Sequence, residues 1–220
     1  MSRTGIPTLA ESRQAVVARL AYAVEQPGAV ALLCGPPGVG KTLVLAALAE
    51  SAPLRPRTPV IRPLVGWLDG SEAGPLPEVV LADDAHAADA ADLARLVDRC
   101  HSRRPAAGLV LAGEGRLLSL VSRDARLERA VRLRAALRPF TLAETRGLLD
   151  AMLFAAAAAG TRGEPRDATA RTIHEIAAGI PAAVERLADL AGVIAESRPG
   201  RDLVAADIEA IHRRLSLSAA

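Results

Sequence analysis

The spacing of apolar residues changes along the chain, and the change predicts an architecture. Over residues 12–25 Val16, Leu20 and Val24 recur at helical spacing, until Pro27-Gly28 breaks the pattern. Residues 29–34 (Ala-Val-Ala-Leu-Leu-Cys) are instead a continuous apolar run ahead of a glycine-rich turn, which predicts a strand buried on both faces of a parallel sheet. Helical spacing resumes over residues 41–51 and stops before Pro53. Further short apolar runs at 59–65, 78–82 and 108–112 alternate with a helical stretch at 87–103, the signature of an α/β layered domain. Beyond Pro139 strand signals end. Residues 141–159, 167–178, 182–196 and 205–215 read as helices, broken at Gly160–Gly163 with Pro165, at Gly179-Ile180-Pro181 and at Arg198-Pro199-Gly200. A boundary between Arg138 and Pro139 therefore separates an α/β core, residues 1–138, from an all-helical part, residues 139–220. The alanine-rich stretch 155–160 fits a closely packed helix end.

Composition narrows the function. Of 220 residues 50% are apolar and only 2% aromatic, so the core is built from Ala, Val, Leu and Ile, and base stacking on aromatic rings is disfavoured. The apolar runs are too short and too interrupted by charge to span a bilayer, and residues 1–10 lack the apolar segment of a signal peptide. With two cysteines and no export signal, a disulfide framework is not expected and a cytoplasmic setting is. A net charge of +2 is too small to argue for nucleic acid by itself, although the pI is near 8.9. One oddity stands out: 27 residues are basic, and all are arginine except Lys41.

That lysine lies in Gly35-Pro36-Pro37-Gly38-Val39-Gly40-Lys41-Thr42, a full match to G-x-x-x-x-G-K-[ST]. Glycines let backbone N–H groups turn toward a polyphosphate, and the helix that follows presents its positive end. Lys41 is placed to reach the β- and γ-phosphates and the Thr42 hydroxyl to ligate Mg²⁺. The expected nucleotide-binding segment runs from Gly35 through Leu43, with ATP and Mg²⁺ as ligands. A second element, Glu78-Val-Val-Leu-Ala-Asp83-Asp84-Ala-His86, ends an apolar strand in two acids: Asp83 as the metal-side carboxylate and Asp84 as the residue that orients the attacking water. The competing reading makes both aspartates helix N-caps. His86, His101, His174 and His212 have no metal-ligand spacing, and Cys34 reads as a small buried apolar residue.

With these two elements, the ordered landmarks Leu109-Val-Leu-Ala-Gly-Glu-Gly-Arg-Leu117, Leu137-Arg-Pro-Phe-Thr-Leu-Ala-Glu-Thr145 and Gly179-Ile-Pro-Ala-Ala-Val-Glu-Arg-Leu187 resemble those of AAA+ ATPases. The chain is most similar to the ExeA/general-secretion-pathway protein A group and its transposition-helper relatives, from about Thr8 to Leu215. The resemblance implies a P-loop NTPase αβα sandwich with a parallel sheet, a small helical lid, and hydrolysis coupled to assembly. Three departures matter. Glu114 stands where the family carries a neutral amide facing the γ-phosphate. Position 182 is Ala where the family carries an arginine, leaving Arg186 one turn later as the nearest substitute. The segment between Val65 and Glu78 leaves little room for a crossover helix.

Arg123, Arg126, Arg129 and Arg132 recur every three residues, followed by Arg134 and Arg138, and as one helix would make a basic ridge. It would serve as an arginine finger toward a neighbouring subunit's nucleotide, with Arg129 and Arg126 as the candidates, or contact DNA phosphates, or be a solvated face balanced by Asp124 and Glu128. The function expected is ATP hydrolysis by a homo-oligomer serving a secretion, pilus or transposition apparatus through a protein partner. A non-hydrolysing ATP-dependent switch and a DNA-associated loader are the alternatives.

Overall fold

The computed structural model describes residues 10–69, 75–154, 164–197 and 203–218. The chain divides into two compact units, Met1–Arg138 and Pro139–Ala220. In the first, α1 (Glu11–Val24), β1 (Val30–Cys34), α2 (Lys41–Ala49), β2 (Val60–Pro63), α3 (Leu64–Leu68), β3 (Val79–Asp83), α4 (Ala90–Ser102), β4 (Gly108–Gly113), α5 (Gly115–Ser122), α6 (Ala125–Ala130) and β5 (Val131–Ala136) follow one another. The strands form one parallel sheet in the order β2-β3-β4-β1-β5.

The apolar runs are continuous because both faces of the sheet are covered. Alternate residues of each central strand enter different layers. Val30, Leu32, Leu109 and Leu111 pack with Trp67, Leu93, Leu96, Leu117 and Leu127 of α3 to α6, whereas Ala31, Leu33, Val79 and Val110 pack with Leu20, Val24, Leu45 and Leu48 of α1 and α2. Leu32 and Leu33 are fully buried, and truncating either to alanine costs about 2–5 kcal/mol. Trp67 anchors the short α3, its Nε1 donating to the Leu81 carbonyl at 3.4 Å while the Arg62 guanidinium stacks 5.0 Å from the ring centroid. Among its described residues the crossover between β2 and β3 thus contains one short helix, and residues 70–74 lie outside that set.

One expectation is overturned. The arginines at three-residue spacing do not form a helical ridge: Arg123 follows the end of α5, Arg126 and Arg129 ride α6, and Arg132 and Arg134 belong to the edge strand β5. The break has a physical cause. The Asp124 side chain accepts the Arg126 and Leu127 N–H groups and caps a new helix, so no single helical phase runs through the segment. β5 escaped notice because Val-Arg-Leu-Arg-Ala-Ala exposes every second residue at a sheet edge and lacks the apolar continuity of the central strands.

The second unit is helical: α7 (Leu142–Leu149), a π-helical turn (Asp150–Phe154), α8 (Glu164–Ile176), α9 (Pro181–Ser197) and α10 (Ala205–Ser218). Thr141 and Glu144 close a capping box on α7. Leu149, Ile173, Val184, Leu187, Ile208 and Ile211 fill the core. The alanine-rich 155–160 and the breaks at 160–163 and 198–200 lie outside the described residues. Gly179 has φ +67°, and a Cβ there would meet the Phe140 carbonyl oxygen at 2.5 Å, so the turn before α9 admits only glycine. No helix among the described residues is long and apolar enough to cross a membrane.

Candidate nucleotide site

The carboxyl ends of the strands gather the chemistry. β1 runs straight into the loop 35–40, and Gly40, with φ +98°, caps α2 with no side chain, which leaves the first N–H groups of that helix without intrahelical carbonyls. Gly35 donates its N–H to the Gly113 carbonyl at 3.2 Å. A Cβ on Gly35 would lie 2.8 Å from both the Leu137 carbonyl and Val39 Cγ1. Val39 is fully buried and pins the loop from beneath, while Pro36, Pro37 and Gly38 are exposed.

Lys41 is only 8% exposed, and its Nζ donates to the carbonyls of Gly35 and Pro36, each at 3.0 Å. The ammonium is thereby held across the loop. Thr42 Oγ1 donates to Asp83 Oδ2 at 2.6 Å, joining the start of α2 to the end of β3. Asp83 is also 8% exposed, and its other oxygen accepts the Asp84 N–H at 2.9 Å. Two hard oxygens at this junction fit a Mg²⁺ that keeps most of its shell as water and phosphate oxygen. Leu43 is partly exposed in the same first turn of α2.

Asp84 is exposed and sits in the left-handed region at φ +53°, a conformation that Asp tolerates better than most residues. Neither acid caps α4. That role belongs to Asp89, which accepts the Asp92 N–H at 2.8 Å, and Asp84 makes no capping bond to the short turn Ala85–Ala87.

The structure does not bring Arg126 and Arg129 to this edge. They line a cleft of about 480 Å³ with Gly28, His101, Ala106 and Arg132, at the amino ends of β1, β4 and β5. Arg126 pairs with Asp98 at 3.3 Å, and Arg129 Nε donates to the Ala125 carbonyl at 2.9 Å. In the helical unit Ala182 and Arg186 are both exposed, one turn apart on α9.

Cys34, between sheet and loop, is a buried thiol whose pKa is pushed up by burial, against the pull of Lys41 and Arg134. It is an apolar filler, as expected. Arg13 is the residue the sequence reading missed. It is 5% exposed, and its guanidinium reaches the carbonyls of Val39 at 3.5 Å and Arg138 at 3.1 Å, tying the loop's buried anchor to the last residue of the unit. Its signal was the spacing Arg13, Val16, Leu20, Val24, which puts the arginine on the apolar face of α1.

Neither a protein-family model nor a curated protein matches the sequence. Solved structures do match it by shape. The Thermotoga maritima RuvB Holliday junction branch migration motor superposes with a TM-score of 0.63 at 19% identity, over 92% of this chain and 68% of that one. Aeropyrum pernix ORC1, solved in complex with DNA, gives 0.65 at 18% identity over 94% and 67%. Aeropyrum pernix ORC2, solved in ADPNP–ADP complexes, gives 0.62 at 18% over 94% and 68%. These neighbours are AAA+ P-loop ATPases. At such identities the likeness carries architecture, and the chain has their fold: a P-loop αβα sandwich of AAA+ type followed by a helical part.

Proposed function

We propose that the chain binds ATP with Mg²⁺ at the loop 35–42 and hydrolyses it slowly, as an oligomer in which one copy completes the site of the next. The observation that carries this is the 2.6 Å bond between Thr42 and Asp83, with Lys41 held on the loop beside it. On nucleotide binding Lys41 exchanges the Gly35 and Pro36 carbonyls for the β- and γ-phosphates, and the N–H groups at the start of α2 face the same oxygens. Thr42 and Asp83 would hold the metal, which would supply positive charge against the developing charge of the phosphates. Asp84, exposed beside Asp83, orients the attacking water. Residues 1–138 act as the nucleotide core and 139–220 as a lid.

The supporting experiment is Lys41→Ala. Isothermal titration should show ATP binding lost from the variant and retained by the wild type, because the loop's other contacts are backbone dipoles. Equal affinity in the two chains would remove the phosphate-loop reading.

A non-hydrolysing switch is the second reading, favoured by Glu114 beside the loop and by Ala182 in place of an arginine. Wild-type ATP binding without any turnover would establish it. For the biological setting we retain an accessory ATPase of a secretion, pilus or transposition apparatus. The DNA-associated alternative draws on the basic cleft and on neighbours solved with DNA or named for branch migration.

A further inference from the structure

Glu114 follows β4 at the edge where the proposed phosphate loop begins. Its neighbour Gly113 accepts the Gly35 N–H at 3.2 Å, so the acid leaves β4 one residue from the point where the phosphate loop begins. Left to itself, it would repel the terminal phosphate of a nucleotide.

The structure gives this acid a partner. His86 Nε2 lies 3.6 Å from Glu114 Oε1. The backbone that carries the imidazole is held from two sides. A Cβ on Gly113 would stand 2.9 Å from the His86 backbone nitrogen, so β4 closes directly on the turn that carries the histidine. The Arg116 guanidinium donates to the His86 carbonyl. His86 Nδ1 is buried with no hydrogen-bond partner among the described residues, which leaves Nε2 as the ring's polar contact, and that contact is Glu114. Asp83 ends β3 and Asp84 opens the same turn, so one histidine connects these two acids to the acid after β4.

We propose that His86 is a positioning residue of the nucleotide site: it holds the Glu114 carboxylate away from the terminal phosphate and thereby sets the preference for ATP over ADP. The inference rests on the phosphate-loop reading and adds to it a residue that acts through charge placement. The γ-phosphate is the group that distinguishes ATP from ADP, so releasing Glu114 should penalise ATP more.

The test is fluorescence titration of the full chain with mant-ATP and mant-ADP, for wild type, His86→Ala, His86→Gln and His86→Ala/Glu114→Gln. His86→Ala should weaken mant-ATP binding about tenfold and mant-ADP binding much less, the effect of one released charge beside a partly exposed site. Adding Glu114→Gln should restore ATP affinity, because a neutral amide needs no restraint. His86→Gln keeps a donor for the carboxylate and should stay near wild type. A merely structural role predicts otherwise: both nucleotides weakened alike in His86→Ala, with no rescue by Glu114→Gln. That result, or unchanged binding in His86→Ala, overturns the inference alone. A wild type that binds neither nucleotide sinks the phosphate-loop reading and this inference with it.

Discussion

The two edges of the parallel sheet carry opposite kinds of charge. At the carboxyl edge one ammonium, Lys41, stands among three carboxylates, Asp83, Asp84 and Glu114. At the amino edge Arg126, Arg129, Arg132 and His101 share a cleft, where Arg126 pairs with Asp98. A polyphosphate needs cations, and at the edge proposed to hold it the Arg13 and Arg116 guanidiniums are engaged with the carbonyls of Val39 and His86. The edges are separated by the length of β1, roughly 16 Å for five residues at about 3.3 Å each, so a chain cannot bring its own Arg126 or Arg129 to its own loop. The difference means that the proposed arginine contribution can reach a loop only from another copy.

The largest effect should come from breaking that pairing. Arg126→Ala or Arg129→Ala should keep ATP affinity while lowering turnover by about 10³-fold, since an arginine supplied in trans stabilises transition-state charge. Specific activity of the wild type should rise with protein concentration. Mixing either variant with Lys41→Ala should restore part of the turnover, because each chain supplies the edge the other lacks. Concentration-independent activity without complementation would leave the edges unrelated.

The difference in legibility between the edges has a physical basis. The carboxyl edge is readable because its residue types are dictated by position: Gly35 by a carbonyl 2.8 Å away, Gly40 by its φ, Lys41 and Thr42 by the chemistry of phosphate and metal. β1 and β4 are readable because burial on both faces leaves no polar side chain in them. The amino edge is less legible because arginines three residues apart suit a single helix, and the break in that helix shows only in the capping bond of Asp124. Arg13 was passed over for a related reason: a long side chain on an apolar face is ordinarily solvated at its tip, and here the tip is buried against two carbonyls.

Within the carboxyl edge the two aspartates should separate. Asp84→Asn should retain ATP and lose about 100-fold in turnover at saturating nucleotide, as water orientation alone is removed. Asp83→Ala breaks the link to Thr42 and should instead weaken Mg²⁺-dependent binding by about tenfold, a range seen when groups that support a metal are removed. Identical phenotypes would mean that the acids act as one structural unit rather than in two roles.

The smallest effect concerns the cap that creates the amino edge. Asp124 accepts the N–H groups of Leu127 and Arg126, and these bonds, with the Arg126 and Arg129 charges adding to them, hold its carboxyl below the usual aspartate range. A carboxyl whose pKa is lower in the folded chain contributes stability above its unfolded pKa and loses it as pH falls through the folded value. Asp124→Ala should therefore lower the urea midpoint slightly at neutral pH, and the gap from wild type should close in acid. Its functional effect should exceed its stability effect. α6 is six residues long and carries both Arg126 and Arg129, so a frayed first turn moves the arginines while Leu127 still packs in the core. The concentration-dependent part of turnover should fall in Asp124→Ala, with ATP affinity at the other edge unchanged. A variant that keeps that component intact would show that the cap shapes the segment without placing the arginines for a neighbour.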